Sequence, residues 1–154
     1  MSSKPIISVV IPSYNDCSII RPYYEAITSY LEQQQDYDYE LIYVDDGSSD
    51  GSQRTLTEIA NSDDKVIYIE LMRNYGQQRA LFAGLSESNG DFVVTLDGDF
   101  QYDPEVITQL ANALGNTYEL ASGIRKGRQD KKLDMMVSRL GNAAIANGEV
   151  ASQG

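Results

Sequence analysis

The chain has no histidine and one cysteine among its 154 residues, and these two absences remove more chemistry than any other feature of its composition. Without histidine there is no Ser-His-Asp triad, no Cys-His pair, no imidazole base and no imidazole metal ligand. A single cysteine, Cys17, leaves neither a disulfide framework nor a cysteine zinc site within the chain. A small, partly buried thiol in a reducing compartment is the expectation. Positive charge is scarce too: 12 Lys and Arg stand against 23 Asp and Glu, for a net charge of −11. Nucleic-acid binding needs a basic face, so none is expected. An anion held through a divalent cation makes no such demand. Long hydrophobic runs are also missing. The opening MSSKPIISVVIP carries one lysine and is too short for a signal peptide or membrane helix, and nothing later reaches spanning length. The chain reads as soluble as written. Chemistry is left to carboxylates, hydroxyls, amides, Arg and Lys, and hard metals that prefer oxygen.

What is present is an ordinary globular composition, 42% hydrophobic and 23% charged, at the length of about one domain. Strand-like apolar runs occur at Ile6–Ile11, Glu40–Val44, Val66–Leu71 and Phe92–Leu96, and more weakly at Tyr118–Ser122. Helical spacing fills the gaps. Between Ser18 and Glu32, Ile20, Tyr23, Tyr24, Ile27 and Leu31 fall on one face. A second helix is expected in DGSQRTLTEIAN with Ser49 or Asp50 as its cap, a third over Gly76–Glu87, and a fourth from Pro104 to Leu114. Gly84 reads as a helix-packing contact. Alternation of this kind implies a mostly parallel sheet with helices on both faces, which binds ligands beyond the carboxyl ends of its strands. The polar motifs sit there: PSYND after the first strand, DDGSSDGS after the second, RNYGQQ after the third and DGDFQ after the fourth.

Asp97 and Asp99 are two residues apart, so in an extended segment their side chains leave on the same side. Carboxylates so close repel unless one is protonated or a cation bridges them. A solvated acidic turn is the alternative; the buried strand before the pair and the proline-started helix after it favour a metal. Asp46, at a strand end, is placed to accept hydrogen bonds from a nucleobase or ribose, while its neighbours read equally well as turn and capping residues. No G-x-G-x-x-G follows the first strand, which weakens a dinucleotide-dehydrogenase reading. Arg73, Gln77, Gln78 and Arg79 lie at a helix N-terminus, a setting that favours anions. The one basic stretch, SGIRKGRQDKKLDMMVSR, holds six of the twelve Lys and Arg and is expected as an anion-facing loop or a membrane-surface helix, a basic amphipathic segment over about 125–147.

SVVIPSYND, YVDDGSSDGS, RNYGQQRALFAGL and TLDGDFQYDPE, in this order and spacing, resemble family 2 glycosyltransferases with the Rossmann-like GT-A fold, closest to the polyprenyl-phosphate glycosyltransferases. The likeness runs to about Arg139. It implies that Pro12, Tyr14 and Asp16 line a nucleotide pocket, Asp16 standing where the family usually has Glu. It implies that Val44 and Asp46 hold base and ribose, that Asp97, the Gly98 backbone and Asp99 meet the diphosphate and a Mg²⁺ or Mn²⁺ ion, that Gln101 adds a metal contact, and that Arg125 approaches a diphosphate or acceptor phosphate. The usual D-A-D is D-G-D here, which leaves the metal site intact. The implied activity is inverting transfer of a sugar from a nucleoside-diphosphate sugar, UDP preferred and GDP-mannose possible, to a polyprenyl phosphate, with Asp99 and Asp97 as the catalytic carboxylates. Its setting would be the cytoplasmic face of a membrane for the full-length protein. The alternatives are a family 2 transferase acting on a saccharide hydroxyl and a catalytically silent nucleotide-sugar-binding domain. Residues 1–154 are expected to be a single GT-A domain and, since NAAIANGEVASQG trails off without a terminal strand or cap, a C-terminally truncated fragment lacking acceptor-site residues.

Overall fold

The computed structural model describes residues 3–99, 102–114, 120–123 and 135–139. Within them strand and helix alternate as β1 (Ile6–Ser13), α1 (Cys17–Leu31), β2 (Asp38–Asp45), α2 (Ser52–Ser62), β3 (Val66–Glu70), α3 (Gln77–Glu87), β4 (Phe92–Thr95) and α4 (Glu105–Leu114), followed by β5 (Leu120–Gly123) and β6 (Met135–Arg139). One sheet runs in the order β3-β2-β1-β4-β6-β5. The first four strands of that order are mutually parallel, and β6 is antiparallel to both β4 and β5. This is the expected mostly parallel α/β architecture. Among the described residues no helix is long and apolar enough to cross a membrane.

Burial on both faces explains why the strands read as continuous apolar runs. Side chains alternate across a strand, and here each parity has its own core. Ile7, Val9 and Ile11 with Leu41, Tyr43, Val94 and Leu96 face α1, α2 and α4, meeting Ile20, Ile27, Leu56, Ile59, Ile107 and Leu114. Val10, Ile42, Val44 and Val93 face the other way and meet Ala80 of α3. On that second face Gly84 allows close approach, because a methyl group at its α-carbon would overlap the Val10 side chain and come within 3.1 Å of Val44 Cγ2.

Two local outcomes differ from the pattern-based expectation. Helix α2 begins after Gly51, whose φ of 95° is left-handed, so neither Ser49 nor Asp50 occupies the capping position. Asp50 still serves that helix from one residue further back, its Oδ1 accepting the Ser52 amide at 3.0 Å. Met135–Arg139, inside the basic stretch, form a strand and not a loop or surface helix. The unpaired edge of β4 supplies the reason: β6 pairs Phe92 with Arg139 and Val94 with Val137, satisfying backbone groups that would otherwise be left open. The rest of that stretch lies outside the described residues.

Chain order and sheet order part company at β1. The chain steps outward from β1 to β2 and β3, then returns to place β4 on the other side of β1. The loops after β1 and β4 therefore splay apart at their carboxyl ends, and a crevice opens between them.

Candidate functional site

Pro12 sits where β1 outlasts its neighbour. Val10 accepts the Leu96 amide at 2.9 Å, so even-numbered residues of β1 turn their backbone toward β4. Pairing with β4 stops at Val10 opposite Thr95. Two residues later, the missing amide of Pro12 faces a place where no ladder bond is required. Beyond it the chain turns into the loop 13–16, held by its own side chains. Asp16 Oδ2 accepts the Tyr14 amide at 3.1 Å and the Ser13 hydroxyl at 3.3 Å. Asn15, at φ 52°, donates its amide to Ser48 Oγ at 2.8 Å and accepts the Ser49 amide on Oδ1 at 2.8 Å. Ser48 in turn donates to the wholly buried carboxylate of Asp45. The loops after β1 and β2 are thus one hydrogen-bonded unit.

The loop after β3 is fastened to the same unit. Asp46, 4% exposed, accepts the Tyr75 amide on Oδ1 at 2.8 Å and the Gly76 amide on Oδ2 at 3.0 Å. Gly47 adopts φ 74°, and a methyl group on it would overlap the backbone of Arg73 and Asn74. Only glycine meets both conditions. Gln77, the first residue of α3, then donates from Nε2 to Asp97 Oδ1 at 2.8 Å.

Between these loops lies a cleft of about 370 Å³, lined by Pro12, Ser13, Tyr14 and Asp16 after β1, Asp46 after β2, Asn74, Gly76 and Gln77 after β3, and Asp97, Gly98 and Asp99 after β4. Gly98 packs against the opposite wall, where a methyl group would stand 2.8 Å from the Pro12 carbonyl oxygen and 3.0 Å from Asp16 Oδ2. Among the described residues four carboxylates line the cleft, and none of the lining residues is Lys or Arg. The crowding shows in acidity. Burial pushes the Asp16 carboxyl above its ordinary value, bonds from Tyr14 and Ser13 oppose that, and the charges of Asp99 and Asp50 add to it. Tyr23, beneath in α1, is raised by burial first and then by Asp99 and Asp97. No group of three or more His, Cys, Asp or Glu in metal-holding geometry occurs among the described residues.

Of the residues singled out in the sequence, Pro12, Tyr14, Asp16, Asp46, Asp97, Gly98 and Asp99 are brought together in this cleft. Val44 is not: its side chain is wholly buried in the core against α3. Asp46 reaches the wall with both oxygens already bonded to the loop after β3. Arg73 and Arg79 are exposed and off the cleft, their guanidinium carbons 4.8 and 5.9 Å from the centre of the Tyr75 ring. Gln101 and Arg125 lie outside the described residues. Sequence reasoning missed Asn15, Gly47 and Ser48 as the residues that join the loops. The only sequence signal for them is a glycine and small polar residues directly after strands.

The family model described as Glycosyl transferase family 2 matches residues 8–148. An undecaprenyl-phosphate 4-deoxy-4-formamido-L-arabinose transferase of Proteus mirabilis (strain HI4320) is 41% identical over 149 residues, covering 96% of this chain and 45% of that protein. Its counterpart in Pseudomonas fluorescens (strain SBW25) is 39% identical over 148 residues, covering 94% of this chain and 43% of that protein. The chain thus spans less than half the length of these curated relatives. Among solved structures, the mannosyltransferase PcManGT from Pyrobaculum calidifontis, in complex with GDP-Man and Mn²⁺, superposes with a TM-score of 0.72 at 18% identity, over 90% of this chain and 45% of that one. S. aureus TarS 1–349 in complex with UDP-GlcNAc gives 0.59 at 22% identity, over 82% of this chain and 37% of that one. At such identities the likeness is one of fold.

Proposed function

The chain belongs to glycosyl transferase family 2, and from that premise we propose that its cleft binds a nucleoside-diphosphate sugar through a divalent cation. In the full-length protein, on this reading, the sugar passes with inversion to a polyprenyl phosphate at the cytoplasmic face of a membrane. A UDP-sugar is the preferred donor. The observation that carries the reading is the charge of the wall: Asp16, Asp46, Asp97 and Asp99, with no lysine or arginine among the described lining residues. A diphosphate entering alone meets these four like charges; accompanied by a cation, it meets attraction.

The donor set suits Mg²⁺ or Mn²⁺, which take one or two carboxylates and complete their shell with water and substrate phosphates. Asp99 is the main anchor, with Asp97 beside it. When bound, such an ion neutralises charge building on the leaving diphosphate. The chain's own residues do the rest. Gly98, without a side chain, lets the loop after β4 close on Pro12 and Asp16 while its backbone lines the place of the diphosphate. Pro12, Tyr14 and Asp16 form the wall opposite Asp97–Asp99, and Gln77 holds Asp97. A phosphate acceptor, with a second pKa of about 6, is already an anion near neutral pH and needs no general base. A chain without histidine suits that reaction. The similarity to undecaprenyl-phosphate sugar transferases over nearly the whole chain supports the lipid-phosphate acceptor.

Calorimetric titration of the chain with UDP, GDP and their sugars, with and without Mn²⁺, tests this. Nucleotide binding that requires Mn²⁺ and is abolished by Asp99→Ala is expected. Equal binding by the variant, or binding indifferent to Mn²⁺, overturns the assignment.

A further inference from the structure

We infer that Asn15 is the positioning residue for Tyr14 and Asp16, the side chains on either side of it that line the cleft. The inference rests on the donor-binding reading above and assigns a role within it. In β1 the backbone of odd-numbered residues faces β2, and that of even-numbered residues faces β4. The strand ends at Ser13, yet this alternation runs on as far as Cys17 with no strand to carry it. Ser13 accepts the Asp46 amide at 2.8 Å, Asn15 donates its amide to Ser48 Oγ at 2.8 Å, and Cys17 donates its amide to Asp50 Oδ2 at 2.9 Å. All three bonds go to the loop after β2. The residues of the other parity, Pro12, Tyr14 and Asp16, all line the cleft. Side-chain acceptors thus extend the β1–β2 ladder beyond both strands.

Asn15 is the rung of this extension that binds in both directions. Its amide goes to Ser48, and its Oδ1 takes the Ser49 amide at 2.8 Å, a reciprocal exchange like that of two paired strand residues. Ser48 is itself held from behind: its hydroxyl donates to the buried Asp45, and its carbonyl accepts from Gln53 Nε2. The geometry needs a φ of 52°, a left-handed backbone that asparagine tolerates better than most residues. What this fixes is Tyr14. Its side chain is 48% exposed, so little packing holds it, and its direction is set by the backbone bonded at Ser13 and Asn15. Asp16 depends on the same turn, because its Oδ2 folds back to accept the Tyr14 amide and the Ser13 hydroxyl. Side chains that meet a ligand need support of this kind from residues that do not.

The test uses the 154-residue chain, with UDP as the probe and Asn15→Gly as the central variant. Glycine keeps the left-handed backbone and removes only the Oδ1 bond. First, amide hydrogen exchange is followed by NMR without nucleotide. The Ser49 amide should exchange about tenfold faster in Asn15→Gly, while the core amides of Val9 and Val10 stay as in wild type. An unchanged Ser49 amide removes the geometric basis of the inference whatever nucleotide binding does, and equal acceleration at Val9 and Val10 replaces positioning with a general loss of stability. Second, Asn15→Gly should weaken Mn²⁺-dependent UDP affinity about tenfold by calorimetry. Third, in a Tyr14→Ala background the same substitution should cost no more than about threefold, since the side chain it positions is gone. A tenfold loss in both backgrounds overturns the route through Tyr14. Unchanged affinity in Asn15→Gly, with wild type binding normally, overturns the role of Asn15 and leaves the donor reading intact. No Mn²⁺-dependent UDP binding by wild type overturns both.

Discussion

The amide of Cys17, the first residue of α1, donates to Asp50 Oδ2 at 2.9 Å. The other oxygen of the same carboxylate takes the amide and hydroxyl of Ser52, the first residue of α2, at 3.0 and 2.5 Å. One exposed side chain therefore satisfies the starts of two helices, each of which has amides without partners inside the helix. Burial pushes the Asp50 carboxyl upward, but bonds from the Ser52 side chain and from the Cys17 and Ser52 amides outweigh it and hold the group below its ordinary value. A lowered carboxyl stabilises the fold above the unfolded-state pKa and loses that effect as pH falls through the lower folded value. Asp50→Ala should cost about 1–2 kcal/mol near neutral pH. In urea titrations the gap from wild type should hold down to about pH 5 and close below about pH 4.

Asp16 has the opposite sign. Its carboxyl is raised by burial, and by Asp99 and Asp50, despite the bonds from Tyr14 and Ser13. A raised carboxyl favours the fold only while protonated, so the ionised group opposes folding near neutral pH. Without divalent cations, Asp16→Asn should raise the melting temperature by about 2 °C, since the half-exposed charge is partly screened. That advantage should vanish as pH falls and wild-type Asp16 takes up its proton. With Mn²⁺ present the same variant should bind UDP several-fold more weakly by calorimetry. A variant that is neither more stable nor poorer in binding removes Asp16 from the charge balance of the cleft.

Gly47 meets two demands at once, a φ of 74° and contact with the Arg73–Asn74 backbone. Gly47→Ala should cost about 2–3 kcal/mol in denaturant unfolding. It should also weaken Mn²⁺-dependent UDP binding, because the loop that carries Gln77 is lifted from its seat. A loss of stability with unchanged binding would separate the two loops functionally.

The fold was legible because its strands are buried on both faces and read as apolar runs, from Val9 through Ile11 and Leu41 through Val44. The position of the cleft followed from polar motifs at the ends of four such runs. Less legible was what each acid does there. Asp46 reads in sequence as a ligand residue; that it also takes amides 29 and 30 residues away is something no local pattern encodes. Val44 looks like part of the motif and belongs to the core, since its parity on β2 matches Ile42, which faces α3. The strand Met135–Arg139 hid inside a basic stretch because its reason for being extended is the open edge of β4, a tertiary demand.

The place of β6 in the sheet has a consequence for synthesis. It is the last strand among the described residues, yet it lies between β4 and β5, which are made before it. While the chain emerges from the ribosome at about 5–20 residues per second, roughly forty residues must follow Thr95 before Met135 appears. For those seconds the β4 edge stands open to any other strand. Nascent chains halted before residue 135 should therefore recruit a holdase or aggregate, where chains that have passed Arg139 do not. The cleft's acidic edge would be in place before the sheet that carries it is closed.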